Sequence, residues 1–178
     1  MDIATPFLLR SRHFLAFEYP TKIRRCLDVL PADALWHRSH EDSNSVGNLL
    51  LHLSGNVRQW IVSSVGGATD ARHRADEFAA REGADANALF TILRSTLDEA
   101  DGVIASLTAA RLLERRLVQG RDVSVLDAVY HVVEHFALHT GQIILITKRH
   151  APGRVRFYED AGGLAIPRWQ MVSDQGGP

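Results

Sequence analysis

The chain has 178 residues, 46% of them hydrophobic and 23% charged, with a formal net charge of −1. That length and composition predict one domain with a core of its own, and the near-zero charge gives no footing for nucleic acid or an anionic membrane surface. A single cysteine, Cys26, excludes an internal disulfide. With no secretory leader and no bilayer-length apolar run, the expectation is a soluble, cytoplasmic protein without a membrane partner.

From Phe7 to Leu30, apolar residues Leu8, Leu15, Ile23, Leu27 and Leu30 recur at helical spacing. Pro20 interrupts the segment and Pro31 ends it, so one kinked helix or two short ones are expected. Residues 31 to 43 are polar and irregular, after which Asn44 or Ser45 can cap a second helix. That helix carries Val46, Leu49, Leu50, Leu53, Val57, Trp60 and Ile61 on one face and stops at Gly66-Gly67. Residues 68 to 84 read as a charged loop. A third helix is expected from about Ala86 to Leu107, and a fourth from about Ser124 to Arg149, with Asp122 or Ser124 as cap. No strand alternation stands out. Residues 1–150 are thus expected to form an all-α, antiparallel four-helix bundle, and residues 151–178, rich in glycine, an irregular C-terminal tail.

The fourth helix contains Tyr130-His131-Val132-Val133-Glu134-His135-Phe136-Ala137-Leu138-His139-Thr140-Gly141-Gln142. At about 100° per residue, His131, His135, His139 and Gln142 share one side of the helix, along the margin of its apolar face. Imidazoles one turn apart can converge on a metal ion. His131 and His139, however, are separated by about 12 Å of helix rise, so they cannot share one. One ion would therefore take His131 with His135, or His135 with His139. A further ligand must come from elsewhere, and His52, on the flank of the second helix beside Asn56 and Gln59, is the best candidate. Three imidazoles from two helices leave a coordination position open, which is the pattern of a catalytic site and not of a closed structural one. Zinc and nickel are the metals such a donor set suits. A lone His52 is more often a hydrogen-bonded interface residue, but its joint occurrence with the histidine run favours a metal centre.

His131 to His135 also matches the inverted zinc-protease pattern His-x-x-Glu-His, with Glu134 as general base. The acids downstream are only Glu159, Asp160 and Asp174, all in the tail. Glu134 also points about 100° away from His135, so protease chemistry is disfavoured.

Asn44-Ser45-Val46-Gly47-Asn48-Leu49-Leu50-Leu51-His52-Leu53-Ser54-Gly55-Asn56 and His135-Phe136-Ala137-Leu138-His139-Thr140-Gly141-Gln142-Ile143 resemble the DinB-like (DinB/YfiT) superfamily. The resemblance runs from about Phe7 to Lys148. It implies an up-down-down-up bundle, a divalent metal held by His52, His135 and His139, and a homodimer. Some members of the superfamily are transferases or isomerases using a low-molecular-weight thiol such as bacillithiol or mycothiol. The reading is then a thiol-dependent transferase acting on a small-molecule substrate. A metal- or ligand-binding protein without turnover is its main rival, and a metal-dependent hydrolase a third. His131 becomes a catalytic proton relay beside the metal, and Asn56, Trp60 and Gln142 become substrate-binding candidates. The cluster Arg72-His73-Arg74-Ala75-Asp76-Glu77-Phe78 could position an anionic substrate but reads rather as a solvated or dimer-facing charge cluster, Cys26 as buried and unreactive, and His37, His40 and His150 as surface groups.

Overall fold

The computed structural model describes residues 2–169. Residues 170–178 of the expected tail lie outside the described residues. The chain is mostly helical. The first segment runs as α1 (Ala4–His13), a π-helical turn (Phe14–Glu18) and α2 (Tyr19–Leu27). Pro20 sits in the first turn of α2, where its missing N–H removes little. The carbonyl of Ala16, four residues before it, accepts instead from Arg94 Nη1 at 2.7 Å. The π-helical turn therefore absorbs the proline without breaking the segment.

Ser45 caps α3 (Val46–Val57) in a reciprocal box with Asn48. The helix continues as a π-helical stretch, Arg58–Val65, and ends at Gly66. The expected loop that follows contains a short helix, α4 (Arg74–Ala79). Asn48 ties it down from α3, donating through Nδ2 to the carbonyls of Glu77 (2.8 Å) and Ala80 (2.9 Å). Asp85 caps α5 (Ala86–Ala105), and α6 (Ala109–Leu112) follows. Ser124, in a second capping box with Asp127, starts α7 (Val125–His150).

Two antiparallel strand pairs among the described residues correct the all-α expectation. Strands β1 (Arg115–Val118) and β2 (Arg121–Ser124) close on Gln119-Gly120, both at positive φ. Strands β3 (Tyr158–Ala161) and β4 (Leu164–Pro167) close on Gly162-Gly163, also at positive φ. Two-residue loops of this handedness match the twist of paired strands, which is why glycine is favoured there. A hairpin thus stands over 158–167 where irregular structure is expected.

The core lies where α3 packs on α5 and α7, and α2 on α7. Leu49, Leu50, Leu53, Val57 and Ile61 share one buried cluster with Leu93, Leu97 and Ile104 of α5 and Val129, Val132, Phe136 and Ile143 of α7. The packing of α3 on α7 sets the polar margins of the two helices against each other.

Candidate metal centre

His52, midway along α3, meets His135 and His139, one turn apart on α7. One ring nitrogen from each of the three lies within 4.8 Å of the others. His135 Nε2 is 3.0 Å from His52 Nε2 and 3.1 Å from His139 Nε2. His52 is buried, while His135 and His139 are half-buried. Burial pushes the His135 imidazole down to about 3, and the neighbouring His139, His52, His131 and Arg72 add to that shift. His139 is lowered by burial as well, against an opposing hydrogen bond to Gln142. Neutral imidazoles at neutral pH are the form that binds metal.

The outer nitrogens decide what the inner ones can do. Beyond His52, Nδ1 faces Glu77 Oε2 at 2.8 Å. Burial raises the Glu77 carboxyl, but hydrogen bonds from Arg72 and His52 outweigh it and hold it below the usual carboxylate range. An ionised carboxylate only accepts, so the shorter contact, to Glu77, puts the proton on His52 Nδ1 in preference to the 3.2 Å approach of Arg72 Nη2, and in that tautomer Nε2 is a bare lone pair. Likewise His139 Nδ1 donates to Gln142 Oε1 at 2.7 Å, leaving its Nε2 bare. His135 Nε2 faces both lone pairs and has at most one proton to offer them. Its own Nδ1 is buried without a partner among the described residues. Three imidazoles crowded nitrogen to nitrogen, with too few protons between them, fit a cation that the three would hold through their lone pairs.

Two residues of the charged segment after α3, Arg72 and Glu77, are buried against it, which corrects the sequence reading for them, while His73, Arg74 and Asp76 between them are exposed. Arg72 donates through Nε to Glu77 Oε1 at 2.7 Å and through Nη2 to Glu77 Oε2 at 2.8 Å. The two side chains are only 4% and 10% exposed. Arg72 Nη1 also reaches Gln59 Oε1 at 3.0 Å, which accepts in turn from Gln119 at the tip of the β1–β2 hairpin. Spacing could not reveal Glu77, because its partner His52 lies in a different element. The one signal was Gly55, a helix-weakening residue in mid-helix.

His131 stands outside the three-nitrogen cluster, its ring 5.3 Å from that of His135. Asn56 Nδ2 donates to His131 Nε2 at 3.4 Å, and the Trp60 ring lies 4.1 Å from it. Burial lowers the pKa of His131, opposed by Glu134 and assisted by Arg121 and Arg72. Asn56 and Trp60 are themselves buried, and Asn56 Oδ1 and Trp60 Nε1 have no partner among the described residues. Gln142 is exposed at the rim beside His139, and Glu134 faces solvent. Cys26 is fully buried, and that burial raises its thiol to about 11. His37 and His150 meet edge to face at 5.0 Å, away from the three.

A family model described as "Protein of unknown function (DUF1572)" matches residues 2–158. The chain belongs to the DUF1572 family. No curated protein matches this DUF1572 chain. Among solved structures, it is similar to the DinB-like protein YjoA from Bacillus subtilis, at 18% identity and a TM-score of 0.60. The likeness covers 84% of this chain and 96% of that one. At that identity it is a likeness of fold, and the DinB-like resemblance read from the histidine motifs agrees with it. No helix of the described residues is long and apolar enough to cross a membrane.

Proposed function

We propose that this DUF1572 protein holds one divalent ion, zinc or nickel, through His52, His135 and His139, and acts as a thiol-dependent transferase on a small-molecule substrate. The observation that carries the metal reading is the convergence of the three ring nitrogens while Glu77 and Gln142 occupy the outer nitrogens of two of them. When bound with an open position, such an ion lowers the pKa of a thiol or water that joins it and supplies Lewis acidity. The chain's own residues do the rest. Glu77 and Gln142 orient two of the imidazoles. His131, whose Nε2 is faced by the Asn56 amide and whose pKa is lowered by burial, is the candidate base for the proton a thiol gives up. Asn56, Trp60 and Gln142 flank the substrate path. Four long helical segments support an up-down-down-up bundle over residues 1–150, followed by a separate C-terminal segment; the cytoplasmic homodimer is part of the proposal on the sequence and the family resemblance alone.

The test is conjugation of a cysteine-type thiol to a chloronitrobenzene, followed by chloride release, with zinc- and nickel-loaded protein. Thiol-dependent turnover that disappears in His135→Ala supports the transferase. Stoichiometric metal without turnover on any thiol or electrophile tried favours a binding protein, and turnover of ester or amide without thiol a hydrolase.

A further inference from the structure

His52 differs from the other two ligands in how it reaches the centre. His135 and His139 are fixed relative to each other by one helical turn, whereas His52 comes from another helix and depends on packing. Glu77 receives its Nδ1–H at 2.8 Å. Arg72 grips both Glu77 oxygens, and Asn48 holds the Glu77 backbone carbonyl. The cluster sits on the face of α3 at Gly55, three residues after His52, and the absence of a side chain there decides the fit. A Cβ at Gly55 would stand 2.0 Å from Glu77 Oε1 and 2.9 Å from Arg72 Nε. Gly55 is in a regular helix without a positive φ, where alanine would favour the helix. Backbone conformation therefore gives no reason for glycine at this position. The space taken by the carboxylate does.

We propose that Gly55, Arg72 and Glu77 form one positioning unit for the metal centre, in which Gly55 opens the space, Arg72 clamps the carboxylate, and Glu77 fixes the ring orientation and tautomer of His52. The proposal rests on the metal reading above and extends it to residues that touch no ion. A carboxylate on the outer nitrogen of a histidine ligand fixes its tautomer and strengthens its donor nitrogen. The Arg72 guanidinium offsets the charge of Glu77, so that the carboxylate stays buried, ionised and aimed at His52. Gln59 joins Arg72 to the tip of the β1–β2 hairpin, and Asp70 accepts both from Gln59 Nε2 (2.8 Å) and from the Arg72 backbone N–H (3.0 Å). These bonds leave the guanidinium little freedom to turn away.

The experiment is a double-mutant cycle on the full chain: wild type, Gly55→Ala, Glu77→Ala and the double variant. Zinc affinity is read by competition with a chromophoric chelator, and thermal unfolding of the metal-free proteins is followed in parallel. Each single substitution is expected to weaken zinc binding by about 10- to 100-fold. The double variant is expected to bind no more weakly than Glu77→Ala, because the added methyl then has no carboxylate to displace. Wild-type affinity in Glu77→Ala, or a Gly55→Ala loss that persists in full beside it, overturns the proposal. Should Gly55→Ala unfold the metal-free protein, Glu77→Ala removes atoms without adding any and carries the test alone. A second readout is the ring-nitrogen NMR of His52 in metal-free protein. It is expected to show Nδ1–H in the wild type and a mixed tautomer in Glu77→Ala. An unchanged tautomer sinks the positioning role. Absence of zinc binding in the wild type with a Glu77-dependent tautomer sinks the metal reading instead.

Discussion

The two walls of the histidine cluster are built differently. On the α7 wall, His135 and His139 lie one turn apart, and the outer support is a neutral amide, Gln142, exposed at the rim. On the α3 wall, a single imidazole is backed by a buried ion pair, Glu77 with Arg72, that is packed against a glycine. Helix geometry already fixes the spacing of the first pair, so little more is needed there. The spacing between the walls depends on tertiary packing, and the buried charged clamp lies on the wall whose ligand must be brought in from elsewhere. Hydrogen bonds to charged groups are about twice as strong as neutral ones, and burial protects them from water.

Substitutions that break the walls should separate them by size. The largest effect is expected from His52→Ala or His139→Ala, each of which removes one of three donors and should abolish stoichiometric zinc in equilibrium dialysis. If both variants retain one ion per chain, the pairing of walls is wrong. Next, Gln142→Ala is expected to weaken zinc by less than tenfold, a smaller loss than Glu77→Ala, by the same chelator competition. The reverse order would place the main support on α7.

A separate effect is on the stability of the metal-free protein. His135 in the folded chain is held down to about 3, far below the ordinary histidine value near 6.5. Between those values the unfolded chain binds a proton that the folded chain does not, so stability falls as pH drops from about 6.5 towards 3. Urea midpoints measured across that range should decline, and the decline should be shallower in His135→Gln. A midpoint that rises on acidification contradicts the burial of a neutral imidazole.

Much of this was legible in the sequence, for local reasons. Apolar residues at helical spacing marked the long helices, and Ser45 and Ser124 stood where caps were needed. The run His131, His135, His139 announced a site because one helical turn is a local relation. His52 was a candidate from its place on the flank of the second helix, and only the resemblance paired it with His135 and His139, since nothing in spacing relates α3 to α7. The strands were missed because four-residue runs are too short for alternation to show. Their signal was in the turns, Gln119-Gly120 and Gly162-Gly163. Arg72 and Glu77 were misread because charge in a loop ordinarily means solvent, and only the packing of α4 on α3 reveals that these two are buried.

The central claim is that three imidazoles from two helices hold one divalent ion, with His135 common to both close contacts. Elemental analysis of wild type and His135→Ala, each dialysed against zinc and then against metal-free buffer, tests it most directly. One zinc per wild-type chain and none in the variant is the predicted result. A wild type that retains no zinc, or a His135→Ala variant that keeps a full equivalent, would contradict it.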